Sequence, residues 1–416
     1  MDIRQRIKAT AEKLREKAGG ILPFRRDQEE APVNSVMEYK ERLAKKKQRM
    51  LIRLGIGTAV IAALVVTGVL TARNWRYGSY RVVSSSDRDD TMSTQYTNFG
   101  DYVLKYSSDD VALLRADGEV MWDDPQEMQN PVADICQDSC VVYDKGGRTM
   151  AVYNSQGKQG TIETSLPILK ARTASQGVVA AILEDGETTW INFYESDGSE
   201  IATGKTRIDS PGYPVDLDVS QDGLLLIVSY LTVSDNQPAS YVAFYNFGNT
   251  GQNQMDNMVS GYTYTDVITP RVSYFDTSRA VAFRDDGFVL YEGKQIPEED
   301  RTVETEEEIV SSFFNEQYIG LVFRNTDGED AYRMDVYTSG GSLKFSQTFD
   351  FAFDKIQISG DQILMYNSNE FSVYTMYGVC RYEGSLTEGN IQNIFKVGGN
   401  RYMVIMENGI QTIKLA

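Results

Sequence analysis

Three hydrophobic patterns follow one another along the chain. From residue 2 to residue 20, Ile3, Ile7, Ala11, Leu14 and Ala18 recur at helical spacing with a mostly basic opposite face, and Gly19 or Gly20 is placed to end the helix. This segment is expected either to lie on an anionic membrane surface or to be a solvated tail. A second helix is expected from Ser35, because Ser35 and Glu38 form an S-x-x-E capping box and EYKERLAKKKQRM continues without a break.

The second pattern is LGIGTAVIAALVVTGVLTA, Leu54 to Ala72, which is 19 residues without a charge. At 1.5 Å per residue it spans about 28 Å, close to the thickness of a bilayer core. Its nine Leu, Ile and Val residues contribute roughly 3 to 5 kcal/mol of insertion free energy. Gly55, Ala59, Ala63, Thr67 and Thr71 fall at every fourth position and share one face, the arrangement that lets membrane helices approach closely. A homodimer through this helix is one expectation; the ordinary abundance of small residues in spans is the other.

The third pattern is β. After a polar spacer, residues 73–94, with a candidate strand at Tyr80 to Ser84, runs of four to eight residues rich in Val, Ile, Tyr and Phe alternate with turn signals. Asp197-Gly198, Asp222-Gly223 and Gly340-Gly341 are among the pairs suited to tight hairpins that need positive φ. Strand groups begin near Gln95, Val132, Ile168, Tyr213, Val267, Ile309, Lys355 and Ile391, a period of about 42 residues, in the range of four-stranded propeller blades. The expected fold is therefore an all-β, eight-bladed β-propeller over residues 95–416, with seven blades as the alternative count. The last group supplies only three strands, so Tyr80 to Ser84 is expected to complete that blade and leave no free edge.

Charge assigns the two sides of the span. Residues 1–53 hold 15 Lys/Arg against 8 Asp/Glu, a net +7, whereas the remainder holds 26 against 51, a net −25. The basic flank predicts a cytoplasmic helical head (1–53), an uncleaved transmembrane signal anchor (54–72) and an extracytoplasmic propeller on the plasma membrane. A strongly acidic outer domain argues against a nucleic-acid partner.

The segment ALLRADGEVMW, Ala112 to Trp122, resembles the repeat of quinoprotein-like and WD40-like β-propellers, in which a D-G turn leads into a strand ending in Trp. The whole layout resembles an uncharacterised family of membrane-anchored propellers from Gram-positive bacteria. That resemblance implies a fold without an assigned activity. The acidic, Asn and vicinal-Cys set by which quinone-dependent dehydrogenases hold Ca²⁺ and cofactor has no counterpart here, so no cofactor is expected.

Candidate chemistry is narrowed by the absence of histidine, which removes Ser-His-Asp and Cys-His arrangements and imidazole metal sites. A carboxylate-dependent hydrolase or lyase survives as the alternative function, needing two acids roughly 5 to 10 Å apart. Asp216 and Asp218 share a strand face, and bonding to neighbouring backbone or facing the channel is the expectation for them. Cys136 and Cys140 lie across an expected hairpin, where a disulfide and free thiols are both open; Cys380 is expected to be free. Tyr230, Tyr241, Tyr245, Tyr262 and Tyr264 form a candidate binding surface, set against ordinary sheet packing. Residues 246–261 and 295–308 read as protruding loops. The expected function is a membrane-anchored, non-enzymatic scaffold that binds an envelope protein or a cell-wall polymer.

Overall fold

The computed structural model describes residues 36–416 apart from 74, 89–92, 116–117, 187, 208–210, 235–236, 327 and 388. It divides into two units, Met1–Arg73 and Asn74–Ala416. The segment around Ile3 to Ala18, and Ser35 itself, lie outside the described residues.

Among the described residues the first unit is one helix, Val36–Arg73, of 38 residues. It takes the expected apolar stretch 54–72 as its C-terminal half. Among the described residues this is the one helix long and apolar enough to cross a membrane, over Lys40–Val65, by length and composition. Leu54, Ile56, Ile61 and Leu64 are all more than half exposed, so the described residues offer their apolar side chains no cover. The hydroxyls of Thr58 and Thr67 donate to the carbonyls of Gly55 (2.9 Å) and Ala63 (2.7 Å), which satisfies them within the helix where a bilayer would offer no partner.

The second unit is a ring of eight antiparallel four-stranded sheets. The first strand of each blade lies innermost: Gln95–Phe99, Pro131–Cys136, Ile168–Thr173, Tyr213–Val219, Arg271–Tyr274, Ile309–Phe314, Lys355–Ser359 and Ile391–Gly398 open blades 1 to 8. Blade 5 starts four residues later than the Val267 expected from the pattern. Its preceding backbone bonds elsewhere, with the carbonyls of Val267 and Thr269 accepting the hydroxyls of Ser240 (3.0 Å) and Ser229 (2.7 Å), and Pro270 has no N–H to give a ladder.

Blade 8 is closed by the strand Tyr80–Asp87, which runs antiparallel to Gly409–Leu415 from Tyr80↔Leu415 to Asp87↔Gly409. The expected closure is therefore present, with a strand three residues longer than Tyr80 to Ser84. Tyr77 and Tyr80 pack on the core between blades 7 and 8.

Among the described residues the core consists of eight clusters, each shared by two neighbouring blades. Because both faces of a blade meet another blade, middle strands are buried on both sides, as in Ser139–Asp144, and read as continuous apolar runs without alternation. Outer strands such as Glu298–Glu304 are almost fully exposed and correspondingly charged. Trp122, the residue that carries the repeat resemblance, stacks on Tyr153 of blade 2 at 5.3 Å between ring centroids. Gly198 shows why one D-G turn needs its glycine: φ is +92°, and a Cβ there would lie 2.9 Å from the Thr161 carbonyl oxygen of the preceding blade.

Candidate binding site in the central channel

Short polar side chains on the inner strands capture backbone groups of the next blade. Asp134 in blade 2 accepts the Thr173 N–H at 2.9 Å and the Arg172 guanidinium at 2.7 Å, both from blade 3. Arg172 also donates from Nε to the Leu217 carbonyl of blade 4 at 3.2 Å. Asp216 and Asp218 accept the N–H groups of Val272 (3.0 Å) and Tyr274 (2.7 Å) in blade 5, and Ser273 Oγ donates to Asp218 at 2.8 Å. Amides do the same elsewhere: Gln357 Nε2 donates to the Ile394 carbonyl (2.6 Å), and Asn393 Nδ2 to that of Tyr96 (2.9 Å). Asp216 and Asp218 are thus clasps between blades, and their oxygens are already engaged.

Two adjacent clasps differ in electrostatics. Asp216 is fully buried and pairs with Lys170 Nζ at 2.5 Å, with Arg172 Nη2 at 3.6 Å. Asp218 is half-buried by surface area yet enclosed by protein, and burial pushes its carboxyl up to about 6 even though Arg172 and the bonds from Tyr274 and Ser273 favour the charged form. Burial works against the Arg172 charge, but Asp134, Asp216 and Asp218 outweigh it and hold the guanidinium firmly protonated.

Arg271 is different. Burial and repulsion from Arg172 both disfavour its charge, although the residue as a whole is exposed. Its guanidinium carbon sits 4.4 Å from the Phe314 ring centroid, and among the described residues it has no carboxylate partner.

Asp134, Arg172, Asp218, Arg271 and Phe314 line a cavity of about 300 Å³ built from the inner strands and turns of blades 2 to 6. One end of the channel is bridged by turn residues. Gln137 of blade 2 donates to Gln221 of blade 4 at 2.9 Å, and Gln221 donates to Glu316 of blade 6 at 3.0 Å. Gln137 holds its turn at a φ of 51°.

Of the two alternatives for the cysteines, the structure has free thiols at Cys136, Cys140 and Cys380. The register Cys136↔Ser139 and Ile135↔Cys140 explains it: cross-strand partners share a face and successive residues alternate, so the Cys136 and Cys140 side chains point to opposite faces. Cys136 lines the cavity, whereas Cys140 is buried between blades 1 and 2 beside Leu113 and Tyr153. Burial pushes the Cys136 thiol up to about 12 and that of Cys140 higher still.

The five tyrosines do not make one surface. Tyr230, Tyr241 and Tyr245 pack between blades 3 and 4, and Tyr262 and Tyr264 between blades 4 and 5. The Tyr230 and Tyr245 hydroxyls meet at 2.8 Å, Tyr262 donates to the Pro297 carbonyl at 3.1 Å, and Tyr264 bonds Tyr291 and Glu299.

Asp134, Arg172, Arg271 and the Gln137–Gln221–Glu316 bridge escaped the sequence reading. A signal was present in the alternate polar residues of successive first strands, A-D-I-C, K-A-R-T, D-L-D-V and R-V-S-Y.

No curated protein matches the chain in sequence. Among solved structures it is similar to a eukaryotic initiation factor, with a TM-score of 0.50 and 11% identity over 82% of this chain and 88% of that one. BamB from Moraxella catarrhalis gives a TM-score of 0.49 and 12% identity over 81% of this chain and all of that one. At such identities the likeness concerns the fold alone. Over residues 73–415 the sequence matches the family of unknown function DUF5711, and the chain belongs to that family.

Proposed function

We propose that this chain is a membrane-tethered propeller scaffold, held by one span with its basic head in the cytoplasm and its propeller outside, where it binds a protein of the cell envelope. The observation that carries the reading is an uncovered apolar helix in the same chain as a ring closed by its own first strand. A closed ring with clasps between its inner strands presents loops on a rigid frame, the usual setting for recognition. The alternative of a carboxylate-dependent hydrolase is less favoured, because Asp216 and Asp218 are occupied as clasps.

The test is proximity labelling in the native cell with a labelling enzyme fused after the exposed Ala416, compared with the same span carrying an unrelated outer domain. Specific enrichment of envelope proteins supports the reading. Absence of enrichment points to a wall polymer or a substrate instead, and labelling of cytoplasmic proteins alone overturns the orientation.

The small-residue face Gly55, Ala59, Ala63, Thr67 and Thr71 supports self-association of the span. A reporter of helix association in the membrane should lose signal on Ala63→Ile; an unchanged signal refutes a dimer through this face.

A further inference from the structure

Charges around the channel cavity are unequally engaged. Each carboxylate lining it already has a partner in the protein: Asp134 has Arg172, Asp218 has Ser273 and the Tyr274 N–H, and Glu316 has Gln221. Arg172 is committed to Asp134 and the Leu217 carbonyl. Arg271 alone among these ions has only the face of Phe314. An aromatic platform fixes the plane of a guanidinium and leaves its N–H edge free for a planar, two-oxygen acceptor.

An anion alone fits the cavity poorly. Asp134, Asp218 and Glu316 face it against Arg172 and Arg271, with Asp216 and Lys170 cancelling one another behind them. A carboxylate on Arg271 would add to the acidic side, whereas a ligand that also carries an ammonium leaves the sum unchanged. Glu316 is exposed at the bridged end and, among the described residues, is held there only by the Gln221 amide, so exchanging that amide for a cation costs it little. A volume of about 300 Å³ is at the small end of ligand sites, equal to about ten waters, and suits an amino acid or dipeptide.

We propose that the channel cavity binds a small zwitterion, its carboxylate on Arg271 above the Phe314 ring and its ammonium toward Glu316 and Asp218. The Gln137–Gln221–Glu316 bridge is then the gate, opened when Glu316 leaves Gln221 for the ligand. This inference stands independently of the protein partner proposed above.

Calorimetric titration of the full-length chain in detergent tests it, with L-alanine, L-glutamine and dialanine as probes and acetate and methylammonium as single-charge controls, at concentrations up to about 10 mM. At least one zwitterion is expected to bind saturably and more tightly than either control. Arg271→Met, which keeps a flexible contact with Phe314, is expected to weaken that binding about tenfold or more, the loss of one charge-assisted pair. Glu316→Gln, an exposed substitution with no burden on folding, is expected to weaken it several-fold. No saturable binding by any zwitterion, acetate binding as tightly as the zwitterions, or an affinity unchanged by either variant overturns the proposal.

Discussion

Asp218→Asn separates the charge of one channel clasp from its shape. In the folded protein, burial pushes the Asp218 carboxyl up to about 6, whereas an Asp in the unfolded chain titrates near 3.9. Between those values the native state holds the proton more firmly than the unfolded chain, so the Asp218 contribution to stability falls as pH rises and is lowest above pH 6. Integrating the two titrations gives a loss of about 2 kcal/mol between pH 4.5 and pH 8. Asn cannot ionise and escapes that loss. It does face the Val219 N–H, which now bonds Oδ1 at 2.9 Å, with either an amide oxygen or an unsuitable NH₂, but this defect is the same at every pH. For a domain the size of residues 74–416 the unfolding entropy is about 0.7 kcal/mol/K. The difference in Tm, variant minus parent, should therefore rise by about 3 °C from pH 4.5 to pH 8, read by circular dichroism of the full chain in detergent. A difference that is flat, or that falls with pH, refutes the argument that burial outweighs Arg172 at this carboxylate.

Asp216→Asn, two residues away on the same strand face, should behave oppositely. It leaves Lys170 without its buried partner and should lower Tm by about 4 °C, from roughly 3 kcal/mol for breaking a buried pair; a loss below 1 °C contradicts the clasp. Intact-mass measurement should show no shift on reduction, and an alkylating reagent at pH 8 should leave Cys136 and Cys140 unmodified until the chain is denatured, because burial keeps both thiols protonated. Rapid native labelling of Cys140 would place it outside the core. Tyr80→Ala removes an aromatic contact with Phe371 and Tyr382 and a hydroxyl bonded to Thr387, and should destabilise by about 2 kcal/mol. Hydrogen exchange at 409–415 should rise before exchange in blades 2 to 5, and a uniform rise would mean that the closing strand does not control the edge.

The ring was legible because its signals are local. A turn pair, an apolar run and a spacing can each be read without knowing what lies across the sheet, and Ile168, Tyr213, Ile309, Lys355 and Ile391 begin strands as the pattern says. Val267 misled because the backbone of 267–269 serves the hydroxyls of Ser240 and Ser229, a preference that apolar character does not record. The channel was not legible. Asp134, Arg172 and Asp218 meet across three strands separated by dozens of residues, and which face each occupies depends on register. The same holds for the cysteines, where a shift of one residue decides between facing thiols and thiols on opposite sides. The tyrosines were grouped because they are near in sequence, but the two faces of one blade belong to different interfaces.

The closing strand also sets an order of events. Tyr80 finds its partner at Leu415, so blade 8 cannot be completed until residues 409–415 are in place, however early the strand itself emerges. Contacts of such long sequence separation form late and slowly. Throughout that interval the three-stranded blade 8 and Tyr80–Asp87 each present an unpaired edge to other growing copies. A chain that pairs Tyr80–Asp87 with the Gly409–Leu415 strand of a neighbour, and not with its own, would close two rings into one exchanged dimer. Ring closure is thus the step at which exchange of this strand between copies would compete with pairing within one chain.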